Sequence, residues 1–202
     1  MNKPLIDIRR ADDTSALLNF RCGVEMMDDF IQDKEKGLAK FIGLGLSNLW
    51  LVYEGERVVA FFALSKDALI LNSEDIYNIT GDEKLSNILP SKDEEKFWGQ
   101  EKYPALEIDY FAVSEEKRKE HLGTALVSTI VDFAAQDRLS ATKFITVEAY
   151  DTKKYSTVDF YKKCGFELSE KGMDRNRYKE MYGEQPTTKR MYRVVIPSTY
   201  SL

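Results

Sequence analysis

Residues 115–123 read EEKRKEHLG: three cations (Lys117, Arg118 and Lys119), then His121, then Gly123 at the start of an apolar repeat. That repeat, Leu122, Ala125, Leu126, Ile130, Phe133 and Ala134, has the spacing of an amphipathic helix. Before the turn, Leu106, Ile108, Tyr110 and Ala112 alternate with Glu107, Asp109, Phe111 and Val113, the two-residue period of a strand. A strand, a cationic turn and a helix N-terminus make an anion site, because unpaired N–H groups and the helix dipole point the same way. The anion that suits it is a pyrophosphate. Glu107 and Asp109 lie two residues apart on the strand and therefore on one face. Such a pair can serve as a general base or attract a cation, and also reads simply as acidic residues on a solvated strand face.

Other chemistries are excluded by composition. His121 is the single histidine, which leaves no basis for a Ser-His-Asp triad or a Cys/His zinc site, and no metal is expected. Cys22 and Cys164, the two cysteines, are expected as reduced thiols, and neither lies in a motif that activates a nucleophile. A net charge of −5 and a pI near 5.2 argue against general nucleic-acid or anionic-membrane binding while leaving room for a local basic patch. The N-terminus, MNKPLIDIRRADD, lacks the apolar core of a signal peptide, and no uncharged apolar run reaches membrane-spanning length. A cytoplasmic protein with no membrane partner is expected. With 43% hydrophobic and 31% charged residues, 202 residues suffice for one well-buried domain.

The elements that must position these residues follow from pattern. Pro4 to Ile8 reads as a first strand, and Thr14 or Ser15 as the cap of a helix start. The stretch Phe20 to Ile31 is expected to end one short element and begin a helix running to about Phe41. Asn48 to Tyr53 and Arg57 to Ser65 form a hairpin with Gly55 in its loop. Between Lys66 and Pro104 the pattern loosens, and one or two short helices are expected there because so long a structureless connection is unusual. Lys143 to Ala149 reads as a strand, followed by a short helix ending in Phe160-Tyr161-Lys162-Lys163-Cys164-Gly165-Phe166. Glu167 to Ser169 begins another strand, GMDRNRYKEMYGEQP reads as a polar loop with some helical turn, and Thr188 to Ile196 alternates as the last strand.

Taken together, the turn Arg118-Lys119-Glu120-His121-Leu122-Gly123 and the downstream Phe160 to Phe166 phrase resemble the GCN5-related N-acetyltransferase (GNAT) family. In that family strand 4 leads through Q/R-x-x-G-x-G/A into a helix, and F-Y-x-x-x-G-F follows after the next strand. His121 stands here where the family's first glycine belongs. Val58 to Ser65 also fits the family's third strand. Phe20-Arg21-Cys22-Gly23-Val24-Glu25-Met26-Met27-Asp28-Asp29-Phe30-Ile31 is similar to F-x-C/S-G-x-x-x-L-D-x-F/W-L, a phrase of the branch that includes toxins acetylating aminoacyl-tRNA. The same phrase also reads simply as core contacts through Phe20, Met26, Met27, Phe30 and Ile31.

The resemblance implies an α/β GNAT acyl-CoA N-acyltransferase fold over residues 1–202, with a mixed, bent sheet, helices on both faces and a variable connection at 66–104 near the acceptor. It implies direct transfer from acetyl-CoA to a primary amine on a small molecule, peptide or aminoacyl-tRNA. The pantetheine arm would run along the backbone of Phe111, Ala112 and Val113. The pyrophosphate would meet the N–H groups of Lys119, Glu120, His121, Leu122, Gly123, Thr124 and Ala125, with Arg118 as a charge-assisted contact. Glu107 falls where histone-acetylating members place their base, and Asp109 remains open as an alternative. Tyr161 would protonate the departing thiolate, while core packing is assigned to Phe160 and Phe166. Dimers are found among relatives, so a homodimer is one option. The rival readings are a toxin-like transferase of aminoacyl-tRNA and a non-catalytic acyl-CoA-binding regulatory module.

Overall fold

The computed structural model describes residues 6–85, 89–137, 140–181, 183 and 187–196, together with the backbone but not the side chain of Tyr178. In chain order the elements are β1 (Ile6–Ala11), a 3-10 turn (Ser15–Leu17), α1 (Glu25–Gln32), α2 (Leu38–Gly43), β2 (Asn48–Glu54) and β3 (Arg57–Leu69). Next come α3 (Ser73–Gly81), α4 (Glu95–Trp98), β4 (Tyr103–Val113), a second 3-10 turn (Glu115–Lys117) and α5 (Leu122–Gln136). The chain continues with β5 (Phe144–Tyr150), α6 (Val158–Lys163), β6 (Glu167–Leu168), α7 (Glu170–Met181) and β7 (Thr188–Val194). The strands join one mixed sheet in the order β1-β2-β3-β4-β5-β7-β6. Its interior strand β3 is buried without interruption from Val59 to Leu64, as a strand covered on both faces must be.

By contact density the chain forms two compact units, residues 6–65 with Ile108–Leu126, and Lys66–Glu107 with the described residues after Val127. In the first unit, β1, β2 and β3 make an antiparallel meander. Leu17, Phe20, Ile31, Leu38, Leu49, Leu51, Phe61 and Ala112 form its core, which draws on both meander and helices. In the second unit, β7 pairs antiparallel with β5 and β6. Leu69, Ile79, Leu89, Trp98, Tyr103, Phe144 and Tyr192 form that core. The connection at 66–104 does hold two short helices, α3 and α4, and Ile79 and Trp98 anchor them.

Several sequence expectations are corrected. β1 runs to Ala11, carried past Ile8 by pairing with β2, and the expected Pro4 and Leu5 lie outside the described residues. The first 3-10 turn is capped by neither Thr14 nor Ser15; the Asp13 carboxylate accepts the Ser15 N–H at 2.8 Å. The helix expected up to Phe41 breaks into α1 and α2, because Asp33 folds its carboxylate back onto the N–H groups of Glu35 and Lys36 at 2.8 and 2.9 Å.

The largest correction is α7, where a loop was expected. Its polar sequence carries no helical stripe, and its start is built from outside. Asp75, in the first turn of α3, accepts the N–H groups of Glu170 and Lys171 at 2.7 and 3.2 Å. Ser169 adds a local contact, its hydroxyl accepting the Gly172 N–H at 3.0 Å. Asp75 is fully buried and also closes the capping box of its own helix with Asn72. One carboxylate thus organises two helix N-termini. Tyr182 and residues 184–186 of the expected loop lie outside the described residues.

Candidate active site

The anion site begins where β4 ends. Ser114 donates its N–H to the Val59 carbonyl at 2.8 Å, and Glu115 donates to the Arg21 carbonyl at 3.1 Å, so the turn is anchored on two sides. Within the basic triplet, Lys117 is ion-paired to Glu54 at 2.7 Å and Glu120 at 3.3 Å. Arg118 and Lys119 are exposed and make no ion pair among the described residues. Leu122, Gly123 and Thr124, the first turn of α5, direct N–H groups that no described acceptor takes. Two of the N–H groups expected around the pyrophosphate are engaged within the turn itself. Glu120 donates to Lys117 at 3.4 Å and Ala125 to His121 at 3.1 Å, closing the turn on itself.

The departure at His121 has a conformational answer. Its φ is +60° and that of Lys119 is +71°, both in the left-handed region. A glycine enters that region freely, and a non-glycine residue enters at a cost of about 1 kcal/mol. His121 therefore holds a backbone conformation that a glycine would enter without that cost, with its side chain exposed.

The Phe20 to Ile31 phrase braces this turn. Asp28 accepts the N–H groups of Cys22 and Gly23 on its two oxygens at 2.7 and 3.0 Å. Gly23 has φ +74°, and a Cβ there would stand 2.9 Å from Glu115 Cδ, so glycine meets both the conformational and the steric demand. Phe20 and Ile31 are core residues, whereas Met26 is exposed. Burial pushes the Cys22 thiol up to about 11, which leaves it protonated and unreactive.

Along β4, Ala112 is buried in the first core, and Phe111 and Val113 are half-buried. Both carboxylates are half-buried and bonded. Glu107 accepts from Arg190 at 2.8 Å; Arg190 also bonds Asp67 and stands 3.6 Å from Glu148. Asp109 accepts from the hydroxyls of Ser47 at 2.5 Å and Ser65 at 2.9 Å. Neither serine nor Arg190 was read from the sequence as a site residue, because their partners lie 44 to 83 positions away in the chain. Alternation of Arg190 along the last strand was the one local signal available.

Tyr161 is buried at the end of α6, between the rings of Phe160 and Phe166 with centroids 5.1 and 5.3 Å away. Its hydroxyl bonds to no described residue. Burial raises its pKa, with smaller contributions from Cys164 and Tyr155, so the phenol keeps its proton throughout the physiological range. Core packing is therefore shared by Tyr161 with Phe166 and is not confined to the phenylalanines. Arg193 on β7 donates to the Cys164 carbonyl at 2.6 Å and ties down the helix C-terminus. Among the described residues no cluster of metal-ligating side chains occurs, and no helix is long and apolar enough to cross a membrane.

Several solved structures share the fold. The toxin AtaT complexed with acetyl-methionyl-tRNAfMet aligns with 17% identity and a TM-score of 0.62, covering 94% of each chain. AtaTR bound with AcCoA gives the same identity, coverage and score. A tyrosine-to-phenylalanine variant of KacT aligns at 16% identity and a TM-score of 0.61, over 94% of this chain and 95% of that one. No curated protein matches. The model of the acetyltransferase (GNAT) family matches residues 20–166, and this chain belongs to that family.

Proposed function

We propose that this chain transfers the acetyl group of acetyl-CoA directly to a primary amine. The observation that carries this reading is the end of β4: a braced cationic turn opening onto the first turn of α5, whose Leu122, Gly123 and Thr124 N–H groups have no described acceptor. Those donors, with Arg118 and Lys119, suit a pyrophosphate in charge and hydrogen-bonding sense. Acetyl-CoA supplies an activated thioester carbonyl and a thiolate leaving group. Tyr161 holds the proton that the thiolate requires. A carboxylate of β4, Glu107 or Asp109, accepts the proton that the ammonium must lose.

A second reading, that the amine belongs to an aminoacyl-tRNA, is favoured by the AtaT complex with acetyl-methionyl-tRNAfMet, which shares this fold over 94% of its length. It also eases the chemistry. A lysine-like amine of pKa about 10.4 costs roughly 4 to 5 kcal/mol to deprotonate at pH 7, whereas an α-amine near 7.7 to 8.0 costs about 1 kcal/mol.

Isothermal titration with acetyl-CoA, run beside an Arg118→Ala variant, tests the cofactor site. Micromolar binding that weakens in the variant is expected. Its absence would reduce the family assignment to a statement about fold. Growth arrest on induced expression, relieved by Tyr161→Phe, is expected if aminoacyl-tRNA is the acceptor, and unimpaired growth would remove that acceptor.

A further inference from the structure

We infer that Lys153, Lys154, Lys162 and Lys163, with Tyr155 among them, form a surface that binds the phosphate backbone of an RNA acceptor. The inference rests on the aminoacyl-tRNA reading of the acceptor and deepens it by assigning the part of the chain that holds the RNA.

The patch runs against the charge of the whole chain. The net charge is −5, yet these four lysines fall within residues 153–163, are all exposed and make no ion pair among the described residues. Nearby acids do not cancel them. Asp151, just before the patch, is taken by Lys189 of β7 at 2.9 Å, and within the segment the opposing carboxylate is the exposed Asp159. Exposed cations without partners add little to folding, and crowded like charges repel one another. Several of them on one short segment of an acidic chain suit a polyanionic partner.

The local fold fixes where the lysines stand. Asp151 and Ser156 form an isolated antiparallel bridge, and the Thr152 N–H donates to the Tyr155 carbonyl at 2.8 Å. Lys153 and Lys154 are therefore the tip of a tight turn. The Thr157 N–H donates to the Tyr150 carbonyl at 2.8 Å, which ties the start of α6 to the end of β5. Lys162 and Lys163 lie in the last turn of α6, whose C-terminus Arg193 holds through the Cys164 carbonyl. All of these residues belong to the second unit.

Tyr155 supplies the aromatic part. It is 38% exposed, and its ring packs against that of Tyr150 with centroids 6.1 Å apart, so it is braced on one side and open to solvent on another. Lysines flanking a braced aromatic ring suit single-stranded RNA, with ammonium groups on phosphates and a base stacked on the phenol ring. A polyamine is itself a cation and is repelled by the same surface, so the patch separates the two classes of acceptor.

The test is filter binding of deacylated total tRNA over a salt titration from about 50 to 200 mM, with acetyl-CoA affinity by calorimetry and melting temperature recorded for each variant. Each phosphate contact on a single strand contributes about 0.7 to the slope of log affinity against log salt, so four lysines predict a slope of about −3. Lys154→Gln should reduce its magnitude by about 1, and replacing all four lysines by glutamate should weaken binding at least about 10-fold and flatten the slope. Tyr155→Ala should weaken binding about 10-fold at unchanged slope, and Tyr155→Phe, which keeps the ring, should bind like the parent. Lys92→Glu with Lys96→Glu, exposed lysines outside the patch, should change nothing. Absence of tRNA binding by the parent, or parental binding by the four-glutamate variant, overturns the inference. Loss of acetyl-CoA affinity in that variant with tRNA binding intact also overturns it, because the lysines then serve the phosphates of the cofactor. Each of these results leaves acetyl transfer standing, whereas failure of the parent to bind acetyl-CoA removes the acetyl-transfer reading whatever the tRNA titration shows.

Discussion

The N–H of Phe166 donates to the carbonyl of Tyr161 at 3.0 Å, and their rings pack edge to face with centroids 5.3 Å apart. Gly165, at φ +79°, donates to Lys162 at 2.9 Å between them, which completes a Schellman cap. The F-Y-x-x-x-G-F phrase is thus a helix stop that fixes the tyrosine's last turn. Gly165→Ala meets no clash, since its Cβ would sit 3.6 Å from the Arg193 guanidinium. The cost is conformational, about 1 to 2 kcal/mol, and thermal melting should show a fall of roughly 2 to 8 °C.

Tyr161→Phe removes a hydroxyl that no described residue bonds, so folding should be unaffected. Steady-state assays should show kcat reduced by about 100-fold with acetyl-CoA affinity retained. Parental turnover at saturating acetyl-CoA would take Tyr161 out of the reaction.

His121 occupies a left-handed position at the anion turn. His121→Gly should be neutral or stabilising by up to about 1 kcal/mol and should not weaken acetyl-CoA binding. His121→Val, β-branched and poorly suited to positive φ, should weaken binding measurably by calorimetry.

Asp75→Ala should be among the most destabilising single changes in the second unit. It leaves the N–H groups of Glu170 and Lys171 without their carboxylate and opens the α3 capping box. Urea unfolding should report a loss of about 2 to 4 kcal/mol, and Asp75→Asn, which keeps one acceptor oxygen, a smaller one.

Asp151 gives a pH signature. The Lys189 ammonium, 2.9 Å away, and the Ser156 hydroxyl hold its carboxyl below the ordinary value of 3.8. A depressed folded-state pKa means that the stabilisation is fully present above 3.8 and is lost as pH falls below it. Asp151→Asn should therefore cost about 0.5 kcal/mol at pH 7, a modest figure for a partly exposed pair. The difference in melting temperature between parent and variant should narrow steadily from pH 4 towards pH 2.

What the sequence by itself determined is what short-range periodicity and local stereochemistry encode. The β2–β3 hairpin with Gly55 at φ +64°, the alternation of β4, the stripe of α5 and the stop of α6 each rest on neighbours within a few residues, and each lies close to where pattern placed it. Family membership was legible for the same reason, since both motif phrases are contiguous. Tertiary structure decided what depends on distant partners. A polar stretch became α7 because Asp75, some 95 residues away, caps it. Glu107 and Asp109 look alike in sequence, two residues apart on one strand. They diverge because Arg190 reaches one and Ser47 and Ser65 reach the other, across 44 to 83 positions of chain that only the folded sheet brings within hydrogen-bonding distance.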